Sequence, residues 1–222
     1  LGETSERVKA LLTLHGNPDY ASWWDDFFGD ELDGKYTTNG AGTQALGISA
    51  GLGGRASVAS QGNADNDSAG MALGLHWSGD LGFYFVARFQ VSAITTVRVE
   101  VGMVDTVTGV DTGAVNVKAT PTFNLTDCAV MVFDTDEDTN FTFVSNGGTT
   151  DGNTDWSGTF SANTYYTVEV VCQGPTSGTG DNVVAYVNNQ RVGSGNINGA
   201  TALSPWVYIQ QQGTTAARTL LL

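Results

Sequence analysis

The chain is short of cations, cysteine, proline and long apolar runs. Its 222 residues carry 9 Lys and Arg against 23 Asp and Glu, a formal net charge of −14. Phosphate neutralisation needs clustered Lys and Arg, so no nucleic-acid partner is expected. No anionic membrane surface is expected either. No stretch of about 18 apolar residues occurs, so no segment reads as a membrane-spanning helix. The first apolar stretch is only Ala10 to Leu12, behind acidic residues, which does not resemble a secretory leader. Leu1 in place of Met suggests trimming or a fragment, and the closing Thr219-Leu220-Leu221-Leu222 reads like a strand cut before its turn. Two cysteines, Cys128 and Cys172, are too few for a disulfide framework. Both sit in apolar, strand-like runs and read as small buried hydrophobes, with a single bridge as the alternative. Together with His15 and His76 they show no zinc spacing.

What is present divides in two. Leu1 to Asp33 reads as a helical or irregular arm, and residues 34–222 as one body of strands. Within the arm, Ser5 to His15 predicts a short helix stopped by Gly16. Asn17 and Pro18 then suit the start of a second helix. Along it Tyr20, Trp23, Trp24, Phe27 and Phe28 recur at helical spacing. An aromatic stripe of that size does not stay in water. It either packs on the chain's own sheet or docks onto a partner.

From about Lys35 the period becomes two. Phe83, Phe85, Ala87, Phe89 and Val91 alternate with Tyr84, Val86, Arg88 and Gln90. Val97, Val99, Val101 and Met103 alternate with Arg98, Glu100 and Gly102. Further runs lie at Ala129 to Phe133, Phe141 to Val144, Tyr165 to Cys172, Val183 to Val187 and Trp206 to Gln210. Alternation implies antiparallel sheets with one buried and one polar face. So many strands imply two packed sheets. Val187-Asn188-Asn189-Gln190-Arg191-Val192 predicts a tight hairpin, because Asn tolerates left-handed turn positions.

Most apparent catalytic motifs fail on context. Gly47-Ile48-Ser49-Ala50-Gly51 matches a nucleophile elbow, but Leu52-Gly53-Gly54 follows where a helix is required. Gly40-Ala41-Gly42 resembles a dinucleotide fingerprint without its strand–helix setting. Asp134, Asp136 and Asp138 open like a calcium loop, but Thr139 and Ser145 stand where an EF-hand needs Gly and Glu. The acids remain candidates for a structural calcium site in a sandwich loop, as do Asn63, Asp65 and Asp67; no other cofactor is expected. Three glycosylation sequons begin at Asn66, Asn124 and Asn140.

The segment "FYFVARFQVSAITTVRVEVGMVDT", Phe83 to Thr106, resembles a hairpin of the concanavalin A-like, laminin G-like jelly rolls. An aromatic strand carries the outward Arg88, and the next ends in Val101-Gly102-Met103-Val104-Asp105. "TYYTVEVVCQG", "NVVAYVNNQRVGS" and "LSPWVYIQQQGTTAARTLLL" agree, so the resemblance spans about Asp26 to Leu222. It implies an all-β antiparallel two-sheet jelly-roll sandwich behind a short arm. The version most resembled occurs in tailed-bacteriophage virion proteins. It implies a non-enzymatic capsid-decorating, head-fibre or tail-associated role, with capsid or tail subunits as partners and a homo-oligomer. The alternatives are a carbohydrate-binding module of a larger secreted or surface protein, hence an extracellular location, and thirdly a glycosidase or polysaccharide lyase.

Glucanases of this fold carry Glu-x-Asp-x-Glu on one strand, and no Glu here begins that motif. Glu100 and Glu169 each stand alone on the polar face of their strand, read as solvent-facing or paired with Arg88 or Arg98. For glycans, Trp77 and Trp156 sit in turn-like segments beside Asp80, Asn153 and Asp155. A sugar stacks on such rings and bonds such side chains, although tryptophans at strand ends also plug a sandwich. The arm reading predicts that deleting Leu1 to Asp33 abolishes docking onto a virion particle in co-sedimentation and leaves the far-UV circular dichroism of a β protein unchanged.

Overall fold

The computed structural model describes residues 25, 27, 32–42, 44–49, 54–62, 64–108, 111–147, 151–174 and 182–222. The helix expected over Ser5 to His15, and Tyr20, Trp23, Trp24 and Phe28, lie outside them. Phe27 has a left-handed φ of 54°. It packs against the main core, 5.9 Å from the ring of Tyr36.

Seventeen strands are described. The first half of the chain forms β1 (Thr37–Asn39), β2 (Gln44–Ile48), β3 (Ala56–Ser60), β4 (Ser68–Ala72), β5 (Trp77–Ser78), β6 (Phe83–Val91), β7 (Val97–Val104), β8 (Val115–Val117) and β9 (Thr122–Phe123). The second forms β10 (Cys128–Asp134), β11 (Asp138–Asn146), β12 (Gly152–Asp155), β13 (Tyr166–Cys172), β14 (Val183–Val187), β15 (Gln190–Gly195), β16 (Ala202–Gln211) and β17 (Thr219–Leu221). One sheet runs β1-β4-β16-β7-β10-β11-β12, with β5 added on β16; the other runs β15-β14-β13-β6-β17-β3-β2. Neighbouring strands pair antiparallel, as in β16 on β7 and β13 on β6. The fold is the antiparallel two-sheet sandwich that the alternation implied.

The period-two pattern places the inner core. Phe89, Val91, Val99, Val101, Phe143 and Ile209 come from both sheets into one cluster. Each such side chain contributes about 1.5–3 kcal/mol relative to exposure. Phe133, Phe141 and Tyr166 each lie 4.8 Å from Phe160 and close one end. The Asn188–Asn189 turn takes φ 50° and 67°, the left-handed pair a two-residue hairpin needs. Cys128 and Cys172 are both buried and unpaired.

One expectation is corrected. A wet outer face holds for β6, where Val86 is 49% exposed, but β7 and β10 are buried along their whole length. The described residues between β7 and β10, including the β8–β9 hairpin, lie over the outer face of the eight-stranded sheet. Ala114, Val115 and Leu125 pack there with Val104, Cys128, Val130, Val132, Trp206 and Tyr208 as a second apolar cluster. The physical reason is visible in β10, Cys-Ala-Val-Met-Val-Phe, which is apolar on both faces.

Glu100 lies beneath this overlay, fully buried. Its carboxylate accepts from Arg98 Nε and Nη2 at 3.2 and 2.8 Å and from Trp206 Nε1 at 3.1 Å. The Ala114 and Val115 N–H groups of the overlay donate to it at 2.7 and 3.2 Å. Of the two readings made for Glu100, pairing with Arg98 is what the structure shows, and a solvent-facing carboxylate is not. Glu169 is also buried and accepts from the Tyr84 hydroxyl at 2.7 Å. Glu100→Ala leaves a buried guanidinium and three N–H donors without their acceptor. It should cost roughly 3–5 kcal/mol in denaturant unfolding, and Glu100→Gln, which keeps an acceptor and the volume, should cost less.

Candidate functional site

A cleft of about 270 Å³ opens where the overlay meets β11 and β12, lined by Lys118, Ala119, Asp138, Thr142, Asn153 and Asp155. Strand alternation puts Asn153 and Asp155 on one face of β12. The register sets Asp155 opposite Thr142 and Asn153 opposite Val144. Asp155 accepts from Thr142 Oγ1 at 2.7 Å through one oxygen and from Asn140 Nδ2 at 2.9 Å through the other. These bonds fix the carboxylate while each oxygen keeps room for a further donor.

The overlay supplies the opposite wall. Lys118 is almost fully buried; its Nζ donates to Asp138 Oδ1 at 2.6 Å and to the Asn140 carbonyl at 2.8 Å. Glu137 holds this turn in place, accepting from the Lys118 N–H at 2.8 Å and the Ala119 N–H at 2.7 Å. Partial burial opposes ionisation of Asp138. The hydrogen bonds from Lys118 and the Asn140 N–H, with the Lys118 charge, outweigh it and hold the carboxyl below its ordinary value.

Of the residues expected to act, the structure gathers Asn153, Asp155 and Asp138 in this cleft. Trp156 follows Asp155 directly but turns the other way. It packs edge-on to Tyr166 at 5.8 Å and donates from Nε1 to Gln190 at 3.0 Å, plugging the end of the sandwich. Trp77 pairs with Leu203 at the start of β16, the end where β7 finishes, since Ser204 faces Val104. Trp156 lies at the end where β11 begins, its N–H bonded to Phe141. Trp77 and Asp80 therefore share no site with Trp156.

The aspartates of the loop resembling a calcium site diverge. Asp134 lies 3.6 Å from Arg98 Nη1 and accepts from Gln212 Nε2 at 2.8 Å, whereas Asp138 is held by Lys118. Burial, then the charges of Asp134 and Asp65, push the Asp136 carboxyl up. Among the described residues no group of three or more His, Cys, Asp or Glu side chains is placed to hold a metal ion. Ser49 of the elbow-like motif bonds from its N–H to the Arg55 carbonyl at 2.7 Å, next to the β2–β3 pairing. Lys118 and Thr142 were missed by the sequence reading. Nothing local in a lone Lys after a short strand tells which carboxylate it will meet.

No family model and no curated protein matches the chain in sequence. Solved structures match in shape. An endo-β-1,4-glucuronan lyase from the fungus Trichoderma reesei superposes with a TM-score of 0.61 at 10% identity, covering 90% of this chain and 92% of that one. The metal-free carbohydrate recognition domain of Emp46p gives 0.54 at 9%, covering 90% and 96%. Peanut lectin gives 0.52 at 9%, covering 89% and 94%. Likeness at such identities is likeness of fold, and the fold is the lectin-like, concanavalin A-like jelly roll.

At the Trp77 end, Asp127 is buried and both its oxygens accept from the Asn198 N–H at 3.1 Å. Burial pushes its carboxyl up from 3.8 to about 6, against hydrogen bonds from Thr201 and Asn198 and with a contribution from Asp105. The folded state thus holds this proton more tightly than the unfolded chain. The resulting stability is present at low pH and is lost as pH rises from about 4 to about 6. Over that window Asp127 should cost up to about 3 kcal/mol. Asp127→Asn should flatten that part of the stability–pH curve measured by urea unfolding.

Proposed function

We propose that this chain is a lectin-like module that binds carbohydrate at the cleft between the overlay and β11–β12 and does no chemistry on it. The observation that carries this reading is the cleft itself. Asn153, Thr142, Asp138 and Asp155 converge there on a space of about 270 Å³, with acceptors and amides of the kind that sugar hydroxyls bond. Named neighbours of the same shape include lectin domains, which supports the reading. A non-enzymatic role is favoured by the carboxylates of the site. A general acid needs a raised affinity for its proton, and Asp138 is shifted the other way. Among the described residues the carboxyls that are raised, Asp127 and Asp136, line no part of the cleft.

A second reading is the virion structural role implied by the resemblance to tailed-phage proteins, with capsid or tail subunits or further copies of the chain as partners. It is favoured by Leu81 and Leu75, 73% and 41% exposed on either side of β5, apolar side chains that a protein contact would cover. The two readings are compatible in a glycan-attaching virion protein and imply a virion or an extracellular location.

Glycan-array screening followed by calorimetry tests the first reading. Asn153→Ala and Asp155→Ala should each weaken binding at least about tenfold, as expected for lost hydrogen bonds to a fixed partner. Binding that survives both changes and disappears with Trp77→Ala or Trp156→Ala would move the site to a tryptophan.

A further inference from the structure

We infer that the cleft is charge-selective: it takes uncharged sugars and rejects those bearing a carboxylate. This rests on the carbohydrate-binding reading and adds the ligand class. The cleft lining contains two carboxylates, Asp138 and Asp155, against one ammonium, Lys118. That ammonium is committed. It is 1% exposed, and two of its three donors are taken by Asp138 at 2.6 Å and the Asn140 carbonyl at 2.8 Å. Asp155, by contrast, is exposed, and the side chains that bond its two oxygens, Thr142 and Asn140, are uncharged. It is the uncompensated charge of the site.

A sugar hydroxyl approaching Asp155 donates into a free lone pair and meets no opposition. A uronate brings a second anion to within a few ångströms of the first, and the described lining of the cleft holds no uncommitted cation to receive it. Coulomb repulsion across about 5 Å, at an effective dielectric between that of water and that of a protein surface, weakens such a ligand by about tenfold. Specificity then comes from a repulsive element as much as from contacts. The chain's net charge of −14 adds to this field at low salt.

The test is a panel of matched oligosaccharide pairs, each neutral sugar beside its counterpart with a carboxylate at C6. It starts with β-1,4-linked glucose and glucuronate and is titrated against the intact chain. Neutral members should bind, and their uronate partners should be about tenfold weaker or silent. The gap should narrow when salt is raised from 20 mM to about 500 mM, because screening acts on the charge alone. It should also narrow in Asp155→Asn, which keeps the shape and removes the charge. The salt series serves should that variant fail to fold. Uronates binding as well as or better than their neutral partners, or a gap that neither salt nor Asp155→Asn changes, overturns the charge selectivity and leaves carbohydrate binding standing. Absence of binding to every member overturns the carbohydrate reading and this inference with it.

Discussion

A buried carboxylate organises one side of this molecule. Glu100 points away from the inner core, and elsewhere in a sandwich that direction leads to water. Here its oxygens bond Arg98, Trp206 and two N–H groups of the overlay. A buried carboxylate is costly without partners, so the overlay cannot leave without stranding it. The arrangement also constrains the backbone. Gly113 runs at φ 80°, and a Cβ there would lie 2.5 Å from Glu100 Oε1. Arg98 reaches on to Asp134. Tyr208, stacked on Trp206 at 5.7 Å, donates to the Asp111 carbonyl at 2.9 Å. Charge, aromatic stacking and the second apolar cluster thus secure the same segment.

This overlay decides where a ligand can approach. The outer face of the eight-stranded sheet carries Trp206 and Tyr208 side by side, and both are sealed. A margin stays open on that side at β11 and β12, where Asn153 and Asp155 are exposed. There the overlay ends in Lys118 and Ala119, and polar side chains replace apolar ones. The cleft is therefore a product of the covering: one wall is sheet, the other is the edge of the segment Glu100 holds down. The outer face of the seven-stranded sheet stays more open, with Val86 half exposed and Arg88 over the Tyr165 ring at 4.5 Å.

Several elements were legible in the residues. The alternation from Phe83 to Val91 predicted both the strand and its buried side, because β6 has one dry and one wet face. Asn188-Asn189 predicted its hairpin, because few residue pairs accept two left-handed conformations. Glu100 was legible as a partner of Arg98, two residues away on the same strand face. Its burial was not, since what covers a strand face comes from elsewhere in the chain. Trp156 and Asp155 are adjacent in sequence and were read as one site. A strand sends successive side chains to opposite faces, so one plugs the inner core and the other lines the cleft. The three aspartates from Asp134 to Asp138 were likewise read together, but Arg98 holds Asp134 and Lys118 holds Asp138.

Local physics in the sequence by itself determined the strands, their inward residues, the tight turns and a strongly acidic surface, because period and turn chemistry act over a few residues. Only the tertiary structure decided that one outer face would be dry, that Lys118 would neutralise Asp138, and that Asn153 and Asp155 would border a cleft. Those outcomes depend on contacts such as Glu100 with Val115 and Trp206, 15 and 106 residues apart. Periodicity records which side of a strand a residue faces and carries no record of what comes to lie against it.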